Sequence, residues 1–126
     1  MLVVDDDESI RSLFAIGLTR AGFDVRVAAN GPDALSVMAD EPISVVLLDA
    51  HMPGMSGLDV LAALRDQPGC ESLPVVLVTG ADDRDDRARG LEAGANDYLV
   101  KPVRLDEIAT CVRSVLHSPI GGDTDH

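Results

Sequence analysis

Five short apolar runs alternate with five amphipathic stretches, and this alternation constrains the chain more than any other feature. The runs are LVV at 2–4, VRVAA at 25–29, SVVLLD at 44–49, PVVLVTG at 74–80 and DYLV at 97–100. Several are continuously apolar, the pattern of strands covered on both faces. Between them, apolar residues recur at spacings of three and four, which places them on one side of a helix. Ile10, Leu13, Phe14, Gly17 and Ala21 form the stripe of the first helix, and Leu35 and Met38 mark the second. Leu58, Leu61 and Leu64 mark the third, Ala88 and Leu91 the fourth, and Ile108, Cys111, Val112 and Val115 the fifth. The punctuation agrees: Gly22 and Gly94 stand where a left-handed residue ends a helix, Pro32 suits a first turn, and Pro68-Gly69 closes the third helix.

Such alternation predicts an α/β fold, a doubly wound five-stranded parallel sheet with five helices on its faces. Of the strand orders the pattern permits, we adopt the flavodoxin-like 2-1-3-4-5. A length of 126 residues suits one domain, expected over 1–118, with 119–126 a loose tail lacking periodicity. Acidic residues outnumber basic ones 22 to 10, for a net charge of −12. That surface repels nucleic acid and anionic lipid, so neither is an expected partner. No leader segment is visible and no apolar run approaches the length of a membrane span, so a cytoplasmic protein is expected. Cys70 and Cys111 lack metal-ligand spacing; Cys111 falls on an apolar helix face, whereas Cys70 lies in a loop open to exposure.

In open α/β sheets chemistry collects at the carboxyl ends of the strands. This chain places Asp5 and Asp6 after the first strand and Asp49 at the end of the third; Thr79 ends the fourth and Lys101 follows the fifth. An aspartate at a strand end is also an ordinary turn or cap residue. Asp7 is read that way, opening the first helix with Glu8 beside it. It is the joint placement of the others that points to chemistry. Crowded carboxylates are costly unless a cation joins them, and oxygen ligands in that number suit Mg²⁺. With a lysine and a hydroxyl added, the group outlines a phosphoryl site, in which a carboxylate is itself a possible nucleophile.

The segments VVDDDESIR, LLDAHMPGMSGLDVL, VVLVTG and GLEAGANDYLVKP, in this order and spacing, resemble the receiver domain of bacterial two-component response regulators across residues 2–117. The resemblance implies that Asp49 accepts a phosphoryl group from phosphohistidine on a sensor histidine kinase or a histidine phosphotransfer protein. It implies that Asp6 ligates Mg²⁺ directly with Asp5 alongside, and that the His51 backbone carbonyl is a further ligand. Lys101 would pair with the phosphoryl oxygens, with a cis bond to Pro102. Thr79 and Tyr98 would switch a surface over the fourth helix, fifth strand and fifth helix, read by a downstream protein target or by a second copy in a weak homodimer. His51 and Ala81 would flank the path of the water that ends the signal, and Met52 would pack. Valine at 103, where an aromatic or leucine is usual, is a small departure. Such a chain promotes its own phosphoryl transfer and slow autodephosphorylation without being a conventional metabolic enzyme.

Two rivals accompany this reading. A haloacid-dehalogenase-like phosphatase would use Asp5 as nucleophile, and would leave Asp49 without a reason. A protein-binding module without phosphoryl chemistry would ignore Mg²⁺ and small acyl phosphates. A nucleotide P-loop is excluded, because no GxxxxGK[ST] occurs. The chain suits a single-domain regulator, a phosphorelay intermediate or part of a longer protein.

Overall fold

A computed structural model describes residues 1–80 and 84–117, with residue 86 described by its backbone alone. Ala81 and the expected tail at 119–126 lie outside the described residues. The elements run β1 (Leu2–Val4), α1 (Glu8–Arg20), β2 (Arg26–Ala28), α2 (Gly31–Asp40), β3 (Val46–Asp49), α3 (Gly57–Arg65), β4 (Val75–Thr79), α4 (Arg84–Glu92), β5 (Asp97–Val100) and α5 (Leu105–His117). All strand pairs are parallel, in the order β2-β1-β3-β4-β5. This is the flavodoxin-like order expected.

Strand side chains alternate between two cores. Leu2, Val4, Val46, Leu48 and Leu77 meet α2 and α3 through Ala34, Met38, Leu61 and Leu64. Val3, Leu47, Val76 and Val78 meet α1 and α5 through Phe14, Leu18, Ile108 and Val112. The outer strands are less covered than their apolar sequences suggest: β2 is an edge, with Arg26 and Val27 exposed.

Local chemistry sets the helix starts. Asp7 caps α1, accepting from the Ser9 and Ile10 amides, and Asn30 caps α2 through the Asp33 amide. Ser56 and Asp59 form a reciprocal capping box on α3. Gly22 at φ 102° and Gly94 at φ 110° end α1 and α4 in the left-handed region as expected.

Two stripes differ from the sequence reading. On α1 the inward residues are Phe14 and Leu18, with Ile10 partly buried, whereas Leu13 is 54% exposed and Ala21 is exposed. Gly17 lies directly against Leu105 of α5, and the stripe that meets the sheet is the i, i+4 row 10-14-18. On α4, Ala88 and Leu91 point outward, and Leu91 is 45% exposed. Among the described side chains of α4, Gly90 is the buried residue: a Cβ on it would stand 2.5 Å from Leu77 Cδ2, so the helix approaches β4 through its glycine. Cys70 is buried, with its thiol 3.8 Å from Gln67 Oε1. Among the described residues, no helix is long and apolar enough to cross a membrane.

Candidate functional site

The period-two alternation carries on past the strand ends and decides which side chains meet. Asp5, Asp49 and Lys101 each follow by two a residue of the α1/α5 core: Val3, Leu47 and Leu99. Thr79 follows Leu77, which belongs to the opposite core, and Tyr98 faces away from Leu99. The acids and the lysine therefore gather on one side of the sheet, while the threonine and tyrosine fall on the α4 side.

Asp5 and Asp49 are buried and Asp6 is exposed. One carboxylate oxygen from each lies within 4.8 Å of the others. Asp5 Oδ1 accepts from the Asp7 amide at 2.9 Å. Burial pushes the Asp5 pKa up, with the charges of Asp49 and Asp6 adding to the effect; the Asp7 amide and Lys101 oppose it. Asp49 Oδ1 accepts from the His51 amide at 3.1 Å and from Lys101 Nζ at 3.2 Å. Three acidic oxygens this close suit a hard divalent cation, and an oxygen-only set favours Mg²⁺ over thiophilic metals.

Thr79 Oγ1 is buried and has no hydrogen-bond partner among the described residues. It sits at the tip of β4, beside Asp49 of β3 and paired with Val100, the residue before Lys101. Tyr98 is 37% exposed, with the Arg87 guanidinium 5.5 Å from its ring centroid. The Lys101–Pro102 bond is cis, as the resemblance implied. The cleft over Asp5, Asp6, Asp49 and Lys101, about 390 Å³, is walled on its other side by apolar Ile10, Leu13, Phe14 and Val103.

The loop from β3 to α3 is tied down locally. Met52 is buried in the core, and the Gly57 amide donates to the Ala50 carbonyl at 2.9 Å. A Cβ on Gly57 would collide with the Asp49 carbonyl oxygen, so only glycine lets the loop return so close to β3. Arg11 belongs to the first motif segment but stands outside the residues to which the resemblance assigns a role. Its guanidinium donates to the Asp5 carbonyl at 2.9 Å. Its place one turn inside α1, behind a run of acids, was the available signal.

Folds of this topology keep their chemistry where the strand order turns, between β1 and β3, and here that place holds the acids. Comparison with known proteins gives the arrangement its class: signalling domains of two-component systems. The response regulator receiver domain family matches residues 1–113, and the chain belongs to that family. The sensory transduction protein RegX3 of Mycobacterium tuberculosis is 41% identical over 125 residues, covering 99% of this chain and 53% of RegX3. The response regulator PleD of Caulobacter vibrioides is 45% identical over 115 residues, covering 91% of this chain and 25% of PleD. Among solved structures, the Vibrio cholerae chemotaxis protein CheY4 superposes with a TM-score of 0.86 at 31% identity, covering 90% of this chain and 95% of that one. The receiver domain of NtrX from Brucella abortus gives 0.86 at 30% identity, covering 93% and 98%. The chain thus spans about half the length of RegX3 and a quarter of PleD.

Proposed function

We propose that Asp49 is the phosphoacceptor of this receiver. The observation that carries the reading is the pairing of Lys101 Nζ with Asp49 Oδ1 at 3.2 Å, next to two further carboxylates within 4.8 Å. Asp5, Asp6 and Asp49, with the His51 carbonyl, would hold Mg²⁺, which when bound neutralises the negative charge that two anions bring together. Asp49 attacks phosphorus in line; the bond from phosphorus to the donor's imidazole nitrogen breaks, and the imidazole keeps the electron pair and takes a proton. Lys101 pairs with the phosphoryl oxygens. The unpartnered Thr79 hydroxyl donates to them, giving a buried donor the acceptor it otherwise lacks.

The donor in this reading is a sensor histidine kinase or a histidine phosphotransfer protein, met in the cytoplasm. Leu13 and Ile16, 54% and 57% exposed on α1, offer it apolar contact beside the cleft. Movement of Thr79 and Tyr98 shifts the population of a surface over α4, β5 and α5, read by a protein target or a second copy. The phosphatase alternative with Asp5 as nucleophile has no support from this fold or family.

Labelling with a small acyl phosphate tests the proposal. The intact chain should gain one phosphoryl group, mapped to Asp49, only with Mg²⁺, and Asp49→Asn should gain none. Labelling at Asp5 would restore the phosphatase, and no labelling would favour the binding module.

A further inference from the structure

We propose that Arg11 is a positioning residue that holds the tip of β1 so that Asp5 and Asp6 present their carboxylates together. The inference rests on the divalent-ion site proposed above. Three hydrogen bonds close a ring between the strand tip and the first turn of α1. The Asp7 amide donates to Asp5 Oδ1 at 2.9 Å, and the Arg11 amide donates to the Asp7 carbonyl at 2.9 Å. The Arg11 guanidinium completes the ring on the Asp5 carbonyl, also at 2.9 Å. Arg11 is half-buried, and its backbone is fixed in a helix whose start Asp7 caps.

The gripped carbonyl belongs to the peptide joining Asp5 to Asp6. A peptide unit is planar, so holding its oxygen also fixes the Asp6 nitrogen and Cα. Asp5 has its own restraint at the carboxylate. Asp6 is exposed, and its direction is set by the peptide that Arg11 holds. A ligand pair is thus oriented from behind by a group that touches neither the ion nor the phosphoryl group, the way outer groups tune metal sites.

Electrostatics and positioning predict opposite signs. A guanidinium near a cation site repels the cation, so if charge were its only effect, removing it would tighten Mg²⁺ binding. If Arg11 orients the acids, removing it weakens binding.

The test uses the whole chain and its Arg11→Ala and Arg11→Lys variants. Mg²⁺ affinity is measured directly by calorimetry, Mg²⁺ half-saturation by acyl phosphate labelling, and melting temperature in chelator. Expected for Arg11→Ala is an Mg²⁺ affinity weaker by about tenfold, with the labelling rate at saturating Mg²⁺ close to the parent's. Arg11→Lys, which keeps the charge and a donor, should recover most of the affinity. A merely structural role would lower the melting temperature and leave Mg²⁺ affinity alone; that result, or tighter binding, overturns the inference. Should Arg11→Ala fail to fold, Arg11→Gln carries the test: weakened Mg²⁺ affinity supports the inference, and parent-like or tighter binding overturns it. A parent that binds no Mg²⁺ overturns the site reading and this inference with it, whereas a parent that binds while Arg11→Ala matches it overturns this inference alone.

Discussion

Lys101, one residue beyond β5, reaches past β4 to set its ammonium 3.2 Å from Asp49 Oδ1 at the end of β3. The side chain of Asp49 is almost fully buried, and that of Lys101 is 47% exposed. The pair is a buried anion met by a mobile cation from the solvent side. Replacing Lys101 by Ala removes a charged partner from the developing phosphoryl charge and should slow labelling by about tenfold or more. Stability should change by less than about 1 kcal/mol, because the lysine is half in water. Time courses by intact mass, with thermal melts, check both; an unchanged labelling rate would count against the pairing's role.

Asp5 gives a pH prediction. Its pKa is raised chiefly by burial. Between its ordinary and raised values the folded chain holds a proton that the unfolded chain has released, so metal-free stability falls as pH rises through that window. In chelator at pH 7, Asp5→Asn should therefore melt above the parent. The gap should close once the pH falls below about 4, the ordinary carboxylate range. Melting curves across pH decide, and a gap that widens in acid would reverse the sign.

Gly57 leaves no room for a side chain. Its would-be Cβ runs into the Asp49 carbonyl, which is backbone and has little freedom to yield. Gly57→Ala should cost about 1–3 kcal/mol or displace the acceptor strand, and in either case should lower labelling. Gly54, whose Cβ would meet nothing within 4 Å but whose φ is 81°, is the control. Gly54→Ala should cost stability through backbone strain while sparing Asp49. Denaturant melts and labelling of the two variants separate these effects.

Tyr98 is the chain's one tyrosine, and there is no tryptophan. Its emission therefore reports the proposed switch without a label. Acyl phosphate with Mg²⁺ should shift that emission and reduce its quenching by acrylamide as the ring turns inward. Arg87 stacks on the outward ring, a contact worth about 0.5–1 kcal/mol at an exposed site. Arg87→Ala should then move the resting population toward the inward ring by about two- to fivefold. Quenching equal to the parent's in both states would remove Arg87 from the switch.

The alternation of apolar runs and helical stripes carried the topology, because a strand buried on both faces leaves few other readings. The site followed from it: once Asp5, Asp49 and Lys101 stand at strand ends, the sheet brings them together. What the sequence concealed depends on how neighbours turn an element. Leu13 and Leu18 are both leucines on α1, and which faces the core depends on how the helix packs on its neighbours, Leu105 of α5 against Gly17 among them. On α4 a glycine is buried against β4, and no hydrophobicity pattern marks a glycine as core. Arg11 acts on a backbone carbonyl, a partner that every residue possesses and no motif records.

The division of each strand's side chains between the two sides of the sheet makes the domain modular across its thickness. In the reading proposed above, α1, where a donor would dock, and α4, part of the surface a target would read, hang from opposite faces of the same strands, whereas α5 shares the face of α1. A substitution on α4 would therefore bear on a target without touching α1, while one on α5 would be felt on both sides of that exchange.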